Sequence, residues 1–193
     1  MAETKIDVLR LDGFLDGAQC ELIVTEMRAA STVAASVSGG AKAVDPYVRN
    51  VLCAEVSQEL VDLVADRLVA IAPQLASHFG VHLNEIEDPQ FLHYRVGDHF
   101  VAHQDGNTPL IHDDTLARKV SVVVFLNPQS DVDNEGSYAG GSLVLHGTYP
   151  DWGYRQDITS PPGTLVAFRS ETTHEVQPVT AGERFTIVSW FRE

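Results

Sequence analysis

The sequence predicts an α+β chain, mainly β, in which amphipathic helices come first and a β-sandwich or small barrel follows. Three observations carry this. Before position 88, apolar residues recur at steps of three and four, the helical period. After Pro89 the pattern changes to short β-type segments separated by Gly, Pro, Asn and Asp, as sandwiches and barrels require. The 193 residues, 44% hydrophobic and 21% charged, are enough for one sizeable core and ordinary for a globular chain. One domain is expected over 1–193, with helical support over about 1–88 and the β core over about 89–193.

The elements follow in order. Asp16, followed three places on by Gln19, reads as a capping box, so a helix is expected from Gly17 to about Ala30, with an apolar and a polar side. Residues 31–46, rich in Ser, Ala and Gly and ending in Asp45-Pro46, read as a mobile loop. A second helix is expected after Ser57, because Leu60, Val64, Leu68, Ile71 and Leu75 form one apolar stripe. Pro73 is placed to kink it and Gly80 to close it. Strands are expected at 90–96, 100–103, 119–126, 142–146, 164–168 and 184–192. The sequence shows no internal repeat and no low-complexity linker.

A formal net charge of −14 argues against a nucleic-acid partner bound through its phosphates, which needs clustered Lys and Arg. It suits a neutral or basic partner, or only solubility. Cys20 and Cys53 form no CxxC or zinc spacing and read as reduced, partly buried thiols. The first residues lack the apolar stretch of a signal peptide, and no apolar run is long enough for a membrane span. A cytoplasmic setting is therefore expected.

Chemistry enters at His103-Gln104-Asp105. An open iron site for oxygen chemistry needs two His and one carboxylate on one face of the metal. Residues at i and i+2 of an extended strand leave from the same face. The motif alone is weak: with eight His, about one chance match is expected, and His112-Asp113-Asp114 is a second match. Context separates them. His103 follows the strand-like His99-Phe100-Val101-Ala102, whereas His112 sits in a polar stretch with turn chemistry. A second feature lies in the last strand, where alternation places Arg184, Thr186, Val188 and Trp190 on one face. An inward arginine is costly unless paired, and its fork matches a carboxylate. A structural salt bridge at an edge strand is equally open from the pattern.

The ordered set of motifs resembles a known family. Tyr94-x-x-Gly97-x-x-Phe100-x-x-His103-x-Asp105, the run Arg118 to Asn127, Gly140-Gly141-Ser142-Leu143, Pro162-x-x-x-Leu165-x-x-Phe168, His174-Glu175-Val176, Pro178-Val179 and Gly182-x-Arg184 are similar to the prolyl 4-hydroxylase-type Fe(II)/2-oxoglutarate oxygenases. Phe14-Leu15 with Cys20 resembles the family's N-terminal helix opening, so the resemblance spans nearly the whole chain. It implies a double-stranded β-helix, a jelly roll buttressed by helices. It implies Fe(II) held by His103, Asp105 and His174, with 2-oxoglutarate and O2 as further requirements. Arg184 matches the residue that binds the distal carboxylate of 2-oxoglutarate, and Tyr94 matches a tyrosine lining the active site. There is one departure. Phe125 stands where many members carry a tyrosine whose hydroxyl touches the cosubstrate, and Phe cannot donate that bond. Tyr94 or Thr186 is placed to substitute.

The resemblance implies a dioxygenase that hydroxylates a C–H bond and releases succinate and CO2, with a prolyl residue in a protein or peptide as the favoured substrate. The alternatives are a free amino acid or other small molecule, or a non-enzymatic jelly-roll or cupin-like metal-binding module. A simple cupin has no need of Arg184. Trp152, Tyr154 and Arg49 are weaker substrate-contact candidates. His78, His82, His93, His99 and His146 read as structural or exposed, and the acidic run 131–135 as a solvated turn.

Overall fold

The computed structural model describes residues 6–35, 45–108, 113–130, 136–148 and 153–193. In chain order its elements are β1 (Val8–Leu11), α1 (Gly17–Ala29), β2 (Thr32–Ala34), β3 (Arg49–Asn50), β4 (Leu52–Ala54), α2 (Gln58–Phe79), β5 (Glu85–Ile86), β6 (Gln90–Tyr94), β7 (His99–His103), a 3-10 turn (Asp114–Ala117), β8 (Arg118–Phe125), β9 (Tyr138–Gly140), β10 (Leu143–His146), β11 (Arg155–Ile158), β12 (Leu165–Arg169), β13 (His174–Val176), β14 (Val179–Gly182) and β15 (Arg184–Arg192).

Both expected helices form where their local chemistry starts and stops them. The Asp16 carboxylate accepts from the Gln19 amide at 2.8 Å, and the Gln19 side chain accepts from the Asp16 amide at 3.0 Å, a complete capping box. Helix α2 ends at Gly80 in the left-handed conformation. It carries Pro73 internally and buries Leu60, Val64, Leu68, Leu75 and Phe79. No helix among the described residues is long and apolar enough to cross a membrane.

The strands form an eight-stranded sheet in the order β1-β12-β8-β15-β6-β4-β2 with β5 beside β15, a five-stranded sheet in the order β11-β10-β13-β7-β3, and the small pair β14-β9. Strand β8 shows how the layers are made. Val120, Val122 and Val124 belong to the cluster that includes Ile23 and Met27 of α1 and Val64 and Leu68 of α2. Val123 and Phe125 point the other way, into a cluster with Leu143, Leu145 and Val176 of the smaller sheet. A strand covered on both faces has no polar side, which is why 122–126 reads as a continuous apolar run. Two sheets facing each other, with the helices on the outer face of the larger one, make the jelly roll.

The first 88 residues are less helical than expected. Strands β1 and β2–β5 lie there, and β1, β2, β4 and β5 extend the larger sheet. They are two to four residues long, too short for a period-2 signal, and their pairing comes from the neighbouring strand. The segment expected to be a loop over 31–46 opens with β2, and its residues 36–44 lie outside the described residues, as do Pro109, His112, the run 131–135 and Trp152.

Candidate functional site

The site is built where β7 and β13 run side by side. His103 and His174 are direct cross-strand partners, so their rings leave the smaller sheet together, with centroids 4.2 Å apart. Asp105 is not on a strand, because β7 ends at His103. Its amide and that of Gly106 donate to the Ser170 carbonyl at 2.9 and 3.2 Å, which turns the chain inward. The Asp105 oxygens then stand 3.4 Å from His103 Nε2 and 3.5 Å from His174 Nε2. The three ligand atoms lie within 4.8 Å of one another, close enough for one ion.

Hydrogen bonding sets the tautomers. His103 Nδ1 lies 2.8 Å from the Val101 carbonyl and His174 Nδ1 lies 2.9 Å from the Thr172 carbonyl. A carbonyl only accepts, so each Nδ1 carries the proton and each Nε2 lone pair is left for a metal. Burial, and then the neighbouring His103, push His174 down to about 4 against the pull of Asp105. Burial alone would raise Asp105, but the two imidazoles and the Ser121 hydroxyl outweigh it and hold the carboxyl well below the usual range. At neutral pH the set offers one carboxylate and a neutral His174, the forms that ligate a metal.

The triad opens into a cleft also lined by Tyr94, Arg184, Thr186, Val188 and Trp190. The alternation expected along β15 is thus what the structure shows. Trp190 pairs with Ser121, beside Asp105, whereas Arg184 pairs with Tyr94 at the start of the strand. The triad therefore lies toward the C-terminal end of β15 and Arg184 toward its N-terminal end. Arg184 is 1% exposed. Its Nη1 donates to Thr186 Oγ1 at 3.2 Å, while Nε and Nη2 have no partner among the described residues. The rings of Tyr94, Phe125 and Tyr138 surround it, with centroids 4.8, 5.6 and 5.9 Å from the guanidinium carbon. Burial pushes the Tyr94 phenol up against the opposing charges of Arg184 and Arg49, so it remains a protonated donor.

This donor set fits an anion. A buried guanidinium with two unpartnered nitrogens has a cost that a bidentate carboxylate removes. The two-His, one-carboxylate set with an open side fits Fe(II). Thr186 and Tyr94 both contact Arg184, which places both beside the position where Phe125 brings no hydroxyl. Tyr138, a third aromatic around the guanidinium, was not singled out by the sequence. Neither was Arg118, which bonds the Asp105 carbonyl. Arg49 lines the cleft, its guanidinium 5.0 Å from the Phe100 ring. Tyr154, by contrast, is not among the cleft-lining residues. Of the second His-x-Asp match, Asp113 caps the 3-10 turn by accepting from the Thr115 amide at 3.0 Å, and Asp114 is that turn's first residue. His93 is largely buried against Glu183 at 2.7 Å.

Comparison with known proteins gives the same direction. A PKHD-type hydroxylase of Paraburkholderia phytofirmans is 30% identical over 149 residues, covering 75% of this chain and 60% of that protein. One from Shewanella oneidensis is 33% identical over 104 residues, covering 54% and 42%. The chain thus spans about 60% or less of the length of these curated relatives. A prolyl-4-hydroxylase of Pseudomonas putida superposes with a TM-score of 0.67 at 22% identity, covering 98% of this chain and 94% of that one. A prolyl hydroxylase of Trichoplax adhaerens, solved with a peptide of the hypoxia inducible factor oxygen degradation domain, gives 0.70 at 18% identity, covering 96% and 83%. The structural likenesses share the fold, and the sequence model of the 2OG-Fe(II) oxygenase superfamily matches residues 89–192, the stretch that carries the triad, Arg184 and every cleft-lining residue but Arg49; the chain belongs to that superfamily.

Proposed function

We propose that this chain is an Fe(II)- and 2-oxoglutarate-dependent hydroxylase acting on a prolyl residue in a protein or peptide, with His103, Asp105 and His174 as metal ligands. The observation that carries it is Arg184. A buried, under-partnered guanidinium shares one cleft with the triad, and only a second, anionic ligand beside the metal accounts for both. A metal-binding module without a cosubstrate leaves Arg184 uncompensated.

Bound there, the metal with 2-oxoglutarate and dioxygen supplies the oxidation that converts substrate C–H to C–OH while the cosubstrate becomes succinate and CO2. The chain's own residues do the rest. Arg184, whose Nε and Nη2 are unpartnered among the described residues, would hold the distal carboxylate, and Thr186 anchors the guanidinium through Nη1. Tyr94 donates its phenol beside that carboxylate. Leu92, Val123, Leu143 and Val188 make the cleft wall apolar, which strengthens the ionic contacts inside it. A peptide substrate is supported by the hydroxylase relatives, by the peptide-bound structural neighbour, and by exposed Tyr47 and Val101 beside β3, the edge strand of the smaller sheet.

The test incubates the protein with Fe(II), 2-oxoglutarate and proline-containing peptides, reading succinate together with peptide mass. One added oxygen per succinate on a proline is expected. Asp105→Ala should abolish succinate formation, since it removes the sole carboxylate of the triad. Asp114→Ala should leave it nearly unchanged. Succinate formed with equal rates in both variants would remove the triad from the reaction. Hydroxylation of free amino acids but of no peptide would shift the substrate class to small molecules.

A further inference from the structure

Arg118, the first residue of β8, is 8% exposed, and its guanidinium is engaged on every side. Nε and Nη2 donate to the two oxygens of Glu87 at 2.7 and 2.6 Å. The guanidinium carbon lies 3.9 Å from the centroid of the Trp190 ring, a residue that also lines the cleft. The remaining nitrogen, Nη1, donates to the main-chain carbonyl of Asp105 at 3.2 Å. A guanidinium is planar and rigid, so a bidentate anchor on one edge and a ring against its face fix where the third nitrogen points.

The need for such an anchor follows from where Asp105 sits. The strand ladder that aligns His103 with His174 stops at His103 and does not fix the residue two places on. The Ser170 carbonyl accepts from the amides of both Asp105 and Gly106 and leaves the Asp105 carbonyl itself to another partner. On the C-terminal side, Gly106 is pressed against the turn before β8, where a Cβ would stand 2.1 Å from the Thr115 carbonyl oxygen and 2.9 Å from Arg118 Cβ. The peptide carbonyl between these two points is the one that Arg118 holds.

We infer that Arg118 is the positioning residue for the metal-site carboxylate: locked by Glu87 and Trp190, it fixes the Asp105 main chain and thereby the direction in which the carboxylate meets His103 and His174. This rests on reading the triad as a metal centre. Arg118 meets Asp105 at its main-chain carbonyl and not at the ligating carboxylate. It acts through Asp105, as outer partners of metal ligands do, and their loss typically costs about 10- to 100-fold in metal affinity.

The experiment titrates the metal-free full chain with Co(II), following the visible absorption that reports ligand geometry, and measures the melting temperature of the same metal-free samples. Arg118→Lys keeps the charge but loses the fork, and Arg118→Met loses both. Arg192→Met serves as control, because Arg192 lies 3.8 Å from the same Glu87 but does not contact Asp105. Both Arg118 variants are expected to weaken Co(II) binding by about 10- to 100-fold and to change the absorption band. Arg192→Met is expected to stay within about twofold while lowering the melting temperature. Wild-type Co(II) affinity and spectrum in Arg118→Lys would overturn the inference, as would an equal weakening by Arg192→Met. If Arg118→Met does not fold, Arg118→Lys decides alone. A wild-type chain that binds no Co(II) sinks the metal-centre reading and this inference with it, whereas normal wild-type binding with unaffected Arg118 variants sinks the inference alone.

Discussion

A guanidinium that is 1% exposed and leaves two nitrogens unpartnered costs several kcal/mol in an empty apolar cleft, on the order of the penalty for a buried unpaired charge. Aromatic faces recover a part of this through cation–π contact, about 0.5–2 kcal/mol, and three rings stand around Arg184. The rest is recovered when a carboxylate binds. Arg184→Met should therefore lower 2-oxoglutarate affinity by at least about 100-fold, the low end of what two charge-assisted bonds supply, while Co(II) affinity and folding stay near wild type. Calorimetry on the metal-loaded variant checks this, and unchanged 2-oxoglutarate binding would remove Arg184 from the cosubstrate site. The inward placement of Arg184 was legible from alternation along β15. That it is unpartnered was not, because a salt-bridged edge arginine gives the same pattern.

At the scale of elements, β15 is the spine of the cleft, and the small pair β9 and β14 forms the corner beside Arg184. Gly141 follows β9 with φ +61°, and a Cβ there would stand 3.0 Å from both Arg184 Cδ and Val179 Cγ2. The corner works only without a side chain, since the left-handed conformation is costly for other residues and the space is taken by the arginine stem. Gly141→Ala is expected to displace the guanidinium and weaken 2-oxoglutarate by about tenfold, near 1.4 kcal/mol, with Co(II) affinity unchanged. Comparing the two titrations checks it, and equal losses in both would mean a general collapse of the cleft. The long elements were readable: α1 and α2 from caps and stripe, β8 and β15 from length and apolar content. Strand β11, Arg155–Ile158, was not, because its residues have weak strand preference and its pairing with β10 supplies the conformation. Strands β13 and β14, three and four residues long, were recognised only as motifs.

At the scale of the whole molecule, the −14 charge sets what the surface can attract. An acidic chain repels phosphates, so a short oligonucleotide is expected to bind no tighter than about 0.1 mM at physiological salt, the weak end of non-specific association. Fluorescence anisotropy over a salt series checks this, and tight binding with a steep salt slope would overturn it. The sequence by itself determined what local periodicity and residue chemistry can encode: two capped helices, an apolar central strand, the inward face of β15, and a His-x-Asp pair ahead of a distant histidine and arginine. Only the tertiary structure decided which of these meet. His103 and His174 become neighbours because β7 pairs with β13. Asp105 turns inward because Ser170 and Arg118 hold its main chain. Arg184 faces the triad because β15 lies between β8 and β6. Strand pairing joins residues far apart in the chain, and no period within one strand names its partner.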